Sequence, residues 1–120
     1  MRTGNQQIAR AQSLLPLSEA TYLILLALTE PMHGYGIMQT VSANSENAVK
    51  LGPGTLYGAL NNLLHQGLIE RAGDSDAGNE RRKLYALTPL GRATVRLECD
   101  RLEAMAQIGR RMLKLEEGAK

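Results

Sequence analysis

The sequence predicts a mainly helical fold with one small β-hairpin and a long helix near its C-terminal end. Three observations carry that expectation. Apolar residues recur at three- and four-residue steps through much of the chain, the spacing of helices with one buried stripe. A polar stretch, "DSDAGNE", divides "LIERAG" from "RRKLYALT", two short runs that read as strands around a hairpin tip. After Thr88-Pro89 the helical rhythm continues to about Leu115.

A chain of 120 residues is expected to form one domain. With no Trp and no Phe, its core has to be filled by Leu, Ile, Val, Ala and Met. The net charge of +2 is too mild to identify a partner by itself. The single cysteine, Cys99, has no internal disulfide partner and sits in the helical pattern "RLECDRLEAM", so a packed or half-exposed thiol is expected there rather than a reactive one. "YLILLAL" falls far short of the ~20 residues of a transmembrane helix, and "MRTGNQQIAR" lacks the apolar core of a signal peptide. A reducing, cytoplasmic setting and no membrane partner are the expectations.

The elements follow in order. Residues 1–16 read as an N-terminal arm or short helix, ended or kinked by Pro16 and expected to pack on a partner subunit. "LSEATYLILLALTE" opens a helix at Ser18, a good N-cap, with Glu19 suiting the dipole of the first turn. Its run from Tyr22 to Leu28 is apolar nearly all round, so the helix is central, and Pro31 closes it. Ile37, Met38 and Val41 mark a second helix behind Gly34 and Gly36. "NAVKLGPG" then leads into a third, with Pro53 at its first position and Gly67 as a left-handed stop. Thr88 and Pro89 supply the N-cap and first residue of the last helix.

At ~1.5 Å per residue that last helix is about 40 Å long. Three short helices cannot cover so long an apolar stripe. Leu97, Leu102, Met105, Ile108 and Met112 are therefore assigned to dimerisation. The boundaries drawn are an arm at 1–16, a helix–turn–helix and hairpin at 17–88, and a dimerisation helix at 89–117.

The third helix carries the functional reading. Leu56, Leu60, Leu63 and Leu64 form its buried stripe, while Thr55, Gly58, Asn61, Asn62 and His65 form a face with no acid and no full positive charge. The second and third helices are joined by about eight residues, a spacing compatible with a helix–turn–helix, and the hairpin behind them supplies a wing. Such winged proteins place the third helix in the major groove and the wing along the backbone. Asn pairs bidentately with adenine, and Thr bonds bases or phosphates. Gly58 allows close backbone approach, and Tyr57 at the border of the face is placed to donate to a phosphate. Arg81, Arg82 and Lys83 on the wing are placed to meet phosphates or a narrow minor groove.

"PMHGYGIMQTV", "GPGTLYGALNNLLHQGLIE" and "GNERRKLYALTPLGR" together resemble the consecutive signatures of PadR-family transcriptional regulators, over residues 17–96. The resemblance implies a cytoplasmic, mostly bacterial repressor that binds double-stranded DNA as a homodimer through its C-terminal helix, in the compact branch of the family. It places Tyr35, Thr55 and Tyr57 at the DNA, with Arg81, Arg82 and Lys83 on the wing; Gly54, Gly58, Asn61 and Asn62 are assigned to the same DNA-facing surface from the third helix itself. Asn62 departs from the family pattern, where many relatives carry a basic residue; this bears on the base sequence recognised rather than on the mode of binding.

The resemblance also leaves open a small-molecule effector, for which Met105, Met112 and the tyrosines offer an apolar lining. No cofactor, metal site or enzyme activity is expected. His33 and His65 have no partner at ligand or triad spacing. A winged helix used for protein contact is the alternative function.

Overall fold

The computed structural model describes residues 2–74 and 83–114. Five helices and three strands follow in the order α1 (Arg2–Ser13), α2 (Glu19–Ala27), β1 (Met32–His33), α3 (Gly34–Asn44), α4 (Pro53–Gln66), β2 (Ile69–Asp74), β3 (Lys83–Leu87) and α5 (Pro89–Leu113). Helices α2, α3 and α4 meet around one apolar centre. Ile24, Leu25 and Leu28 of the first, Ile37 and Val41 of the second, and Leu56, Leu60 and Leu63 of the third are all buried there. Leu68, Ile69, Tyr85, Leu87 and Val95 close it from the side of the sheet and α5.

Local chemistry sets most element ends. Ser18 Oγ accepts from Thr21 N–H at 3.1 Å and so satisfies a donor that the first turn of α2 leaves open. Helix α2 stops at Ala27, four residues short of Pro31. Gly67 ends α4 at φ 79°, a left-handed conformation that glycine reaches without a Cβ penalty. Eight residues, 45–52, separate α3 from α4. Ser42 Oγ donates to Asn47 Oδ1 at 2.6 Å across this turn, and Asn47 N–H bonds the Ser42 carbonyl at 2.8 Å. Asn47 sits at φ 68°, which its short polar side chain tolerates.

The wing differs from the expected two-stranded hairpin. The sheet has three strands in the order β1-β3-β2, all antiparallel. Two residues leading into α3 supply the extra strand, Met32 opposite Tyr85 and His33 opposite Leu84. The wing is thus tied to the base of the helix–turn–helix. Tyr85 and Leu87 are the core-facing residues of β3, with Ala86 half-buried between them and Leu84 half-buried before them. A register shift between Arg71 and Gly73 interrupts the pairing of β2 with β3.

The N-terminal segment is a regular helix that packs along α5 of its own chain. Ala11 is fully buried, and Arg10 Nη2 donates to the Gln66 carbonyl at the end of α4 at 3.1 Å. Within one chain the segment thus packs on α5, while the expected contact with a partner subunit concerns a second copy. The long helix is close to expectation, its 25 residues spanning about 38 Å.

One residue joins the recognition unit to the long helix. Thr88 Oγ1 donates to the Gly67 carbonyl at 2.6 Å and accepts from Gly91 N–H at 3.0 Å, so one hydroxyl links the end of α4 to the start of α5. Its own N–H bonds the Leu68 carbonyl at 3.1 Å. Gly91 lies against that same peptide, and a Cβ built on it would stand 3.0 Å from the Leu68 carbonyl carbon while overlapping its oxygen. Gly91→Ala is expected to destabilise the fold by about 1–3 kcal/mol in urea unfolding, because backbone must move to admit the methyl. Gly58→Ala, which meets nothing within 4 Å, is expected to leave stability unchanged or raise it.

Candidate nucleic-acid interface

Helix α4 buries Leu56, Leu60 and Leu63 and turns the opposite side outward. Gly54, Thr55, Gly58, Asn61, Asn62 and His65 are all exposed, as the helical spacing predicts. No residue between Pro53 and Gln66 carries Asp, Glu, Lys or Arg. Such a face is unusual for a helix in water, and its two glycines make it more so. A Cβ on Gly54 or Gly58 would meet nothing within 4 Å, so the chain's own packing does not require glycine at either place. In a helix interior glycine costs about 1 kcal/mol relative to alanine. What Gly58 provides is a bare stretch of backbone in the middle of an outward face.

Tyr57 sits differently from the sequence expectation. It is half-buried and packs on the core rather than standing free at the edge. A Cβ built on Gly34 would come within 2.7 Å of Tyr57 Cζ, so the tyrosine ring lies flush against the first residue of α3. Gly34 is what allows α3 and α4 to approach there. Tyr35, next to it, is 60% exposed and lines an open groove of about 470 Å³ along α3 with Gln39, Ser42 and Lys50. Lys50 is exposed in the turn just before α4; sequence reading passed over it because a single lysine in a loop carries no pattern.

On the wing, Lys83 opens β3, where it pairs in register with Asp74 and is half-buried. Arg81 and Arg82 lie outside the described residues. Arg71 on β2 is exposed, with its guanidinium 6.0 Å from the centre of the Tyr85 ring. His33 precedes α3 as its N-cap without capping it through its side chain.

The residues assigned to dimerisation separate into two groups. Leu102, Met105, Ile108 and Met112 are exposed, as is Leu113, while Leu97 is half-buried. Cys99 is exposed. Burial, followed by a side-chain hydrogen bond with Cys99, pushes the Tyr22 phenol up to about 12.

Glu98 went unnoticed in the sequence. It is 1% exposed and holds three hydrogen bonds. Leu17 N–H donates to Oε2 at 2.9 Å, Arg101 Nε to Oε1 at 2.6 Å and Arg101 Nη2 to Oε2 at 3.0 Å. A buried carboxylate is tolerable only when paired and bonded in this way. It pins the link between α1 and α2 to the middle of α5. The available signal was an acid in step with Val95 and Leu102, inside an otherwise apolar stripe. Beside it, Leu17, Tyr22, Leu23, Arg101 and Leu102 wall a cavity of about 530 Å³; Met105 and Met112 are not among its walls.

Three helices, the last two joined by a short turn, followed by a strand pair and packed against a long terminal helix, define a winged helix–turn–helix protein. The family model described as "Transcriptional regulator PadR-like family" matches residues 23–97. The chain belongs to that family. It is similar to an uncharacterized 37.1 kDa protein in transposon TN4556 of Streptomyces fradiae, 33% identical over 98 residues, which are 81% of this chain and 26% of that protein. The chain thus spans about a quarter of the length of this curated relative.

Among solved structures it resembles a PadR family transcription regulator from hypervirulent Clostridium difficile. The TM-score is 0.65 at 22% identity, covering 80% of this chain and 99% of that one. It also resembles Bordetella bronchiseptica BpsR, whose DNA binding is regulated by 6-hydroxynicotinic acid. There the TM-score is 0.61 at 22% identity, covering 91% of this chain and 79% of the other. No helix among the described residues is long and apolar enough to cross a membrane.

The Glu98 cluster predicts a pH effect. The Arg101 hydrogen bond, supported by the Leu17 N–H, holds the carboxyl below its ordinary 4.5 against the opposite pull of burial. A depressed native value gives stability that is full above the unfolded-state value and is lost as pH falls through the native one. The thermal midpoint is expected to drop below pH 4.5, and Glu98→Gln to flatten that drop in parallel melts.

Proposed function

We propose that the chain is a sequence-specific DNA-binding transcriptional regulator, a cytoplasmic repressor that binds an inverted-repeat operator as a homodimer. The observation that carries this reading is the outward face of α4, uncharged, bare at Gly54 and Gly58, and edged by Thr55, Asn61 and Asn62. Family membership supports it. A major groove admits an α-helix, and glycine at the centre of the face lets base edges come close to the helix backbone. Asn61 and Asn62 read adenine by bidentate bonds, while Thr55 and Tyr35 meet bases or phosphates beside them. Tyr57, half-buried behind this face, positions α4 on α3.

Affinity comes from the backbone charges. Lys50 before α4 and Arg81, Arg82 and Lys83 on the wing are the cations we assign to phosphates. Leu102, Met105, Ile108 and Met112 join two copies, so that two α4 helices reach successive major grooves about 34 Å apart. The cavity between α2 and α5 is the place we assign to a small-molecule effector. Its volume of about 530 Å³ lies within the usual range of ligand pockets. It also adjoins Leu102, so a ligand there would bear on the dimer seam.

Fluorescence polarisation against duplexes selected from a genomic fragment pool tests the proposal. Asn61→Ala or Asn62→Ala is expected to cost about 1–3 kcal/mol on the selected duplex and little on random DNA. Arg82→Ala is expected to weaken both alike and to reduce the salt slope by about 1. Equal, salt-independent affinity for selected and random duplexes would discard DNA recognition and favour a protein-contact role for the same fold.

A further inference from the structure

Beyond Glu98, α5 leaves the cover of its own chain. Residues 102, 105, 109 and 112 recur at alternating three- and four-residue steps, which sets them on one stripe of the helix. One heptad earlier, the same stripe is occupied by Val95 and Glu98, both buried within this chain. Met105 and Met112 are 55% and 77% exposed, and Leu102 is exposed beside them. The remaining position is Gly109. It lies inside a helix, has no positive φ, and a Cβ built on it meets nothing within 4 Å. Helix propensity disfavours glycine there, and no described residue of this chain fills the space it leaves. An exposed apolar stripe with a notch in it is shaped for a second helix.

We propose that α5 pairs antiparallel with α5 of a second copy about a twofold axis level with Gln107, each Met105 seated in the notch above the partner's Gly109. This rests on the homodimer reading above and sets its register. A twofold axis at that level brings Leu102 opposite the partner's Met112, so both large-on-large and large-on-small contacts close at once. The charges agree with it. Glu103 and Arg110 lie on one flank of the stripe, a heptad apart, with the small Ala106 on the same side between them. Reversal of the second helix brings Glu103 alongside the partner's Arg110, twice by symmetry. Parallel pairing would set Met105 against Met105 and notch against notch, and would turn the Glu103 and Arg110 flanks of the two helices to opposite sides of the pair. The same register holds the two Cys99 thiols about 24 Å apart along the helices, too far for a disulfide between copies.

Exchange of knob and notch tests the register. Sedimentation equilibrium is run on the wild-type chain, on Gly109→Met, and on the double variant Met105→Gly with Gly109→Met. The single variant is expected to raise the dimer dissociation constant at least about tenfold, since it sets Met against Met where the space holds one. The double variant has the wild-type composition and restores a Met opposite a Gly at both crossings, so its constant is expected to return close to wild type. Circular dichroism separates packing from folding, because Gly109→Met improves helix propensity and should not reduce helix content. A single variant that dimerises as tightly as wild type overturns the register, as does a double variant as weak as the single. A monomeric wild-type chain overturns it as well. Duplex binding is measured separately on the wild-type chain, so a wrong register leaves the DNA-binding reading to stand or fall on its own assay.

Discussion

The burial of Leu56, Leu60 and Leu63 between α2 and α3 is the constraint on which the rest of the molecule depends. Those three side chains decide the rotation of α4 about its own axis, and therefore which side chains face out. With the leucines inward, Gly54, Gly58, Asn61 and Asn62 have no choice of direction. A helix rotated by one residue would bury an asparagine and expose a leucine, both at a cost of a few kcal/mol. Function is thus set by hydrophobic packing on the side of the helix that never meets a partner.

A second tier of contacts holds the long helix against that unit. Thr88 ties the end of α4 to the start of α5, Gly91 lets the first turn of α5 close on the Leu68 peptide, and Glu98 pins the α1–α2 link further along. The first acts through a side-chain hydroxyl held between two backbone groups, the second through close backbone approach, and the third through a buried charge whose hydrogen bonds are satisfied. Between them the direction of α5 is set relative to α4. In a dimer, that direction governs how far apart two outward α4 faces lie. Helix α1 reinforces it by packing along α5 and reaching Gln66 with Arg10.

The glycines show how differently one residue type is used along this chain. Gly67 supplies a left-handed stop, and Gly34 and Gly91 make room for a ring and for a peptide. Gly54, Gly58 and Gly109 make room for nothing among the described residues. The stop at Gly67 and the outward place of Gly58 are legible in the sequence, but it does not sort Gly34 and Gly91 from Gly109, since each sits within a helical pattern. Only a built Cβ and its neighbours separate the internal uses from the outward ones.

What the sequence determined by itself was everything carried by near neighbours. The caps at Ser18 and at Thr88 with Pro89, the stop at Gly67, the leucine stripe of α4 and the length of α5 all follow from residues within a turn or two of each other. The tertiary structure alone decided the matters that join distant residues. The strand at Met32–His33 is too short to carry a period and exists through pairing with Leu84 and Tyr85. The amphipathic N-terminal helix could not declare which chain it would cover, and Glu98 could not declare its burial, because its stabilising donor at Leu17 lies 81 residues away. Hydrogen bonds and packing across such separations leave no periodic trace along a chain, so they become legible only once it has folded.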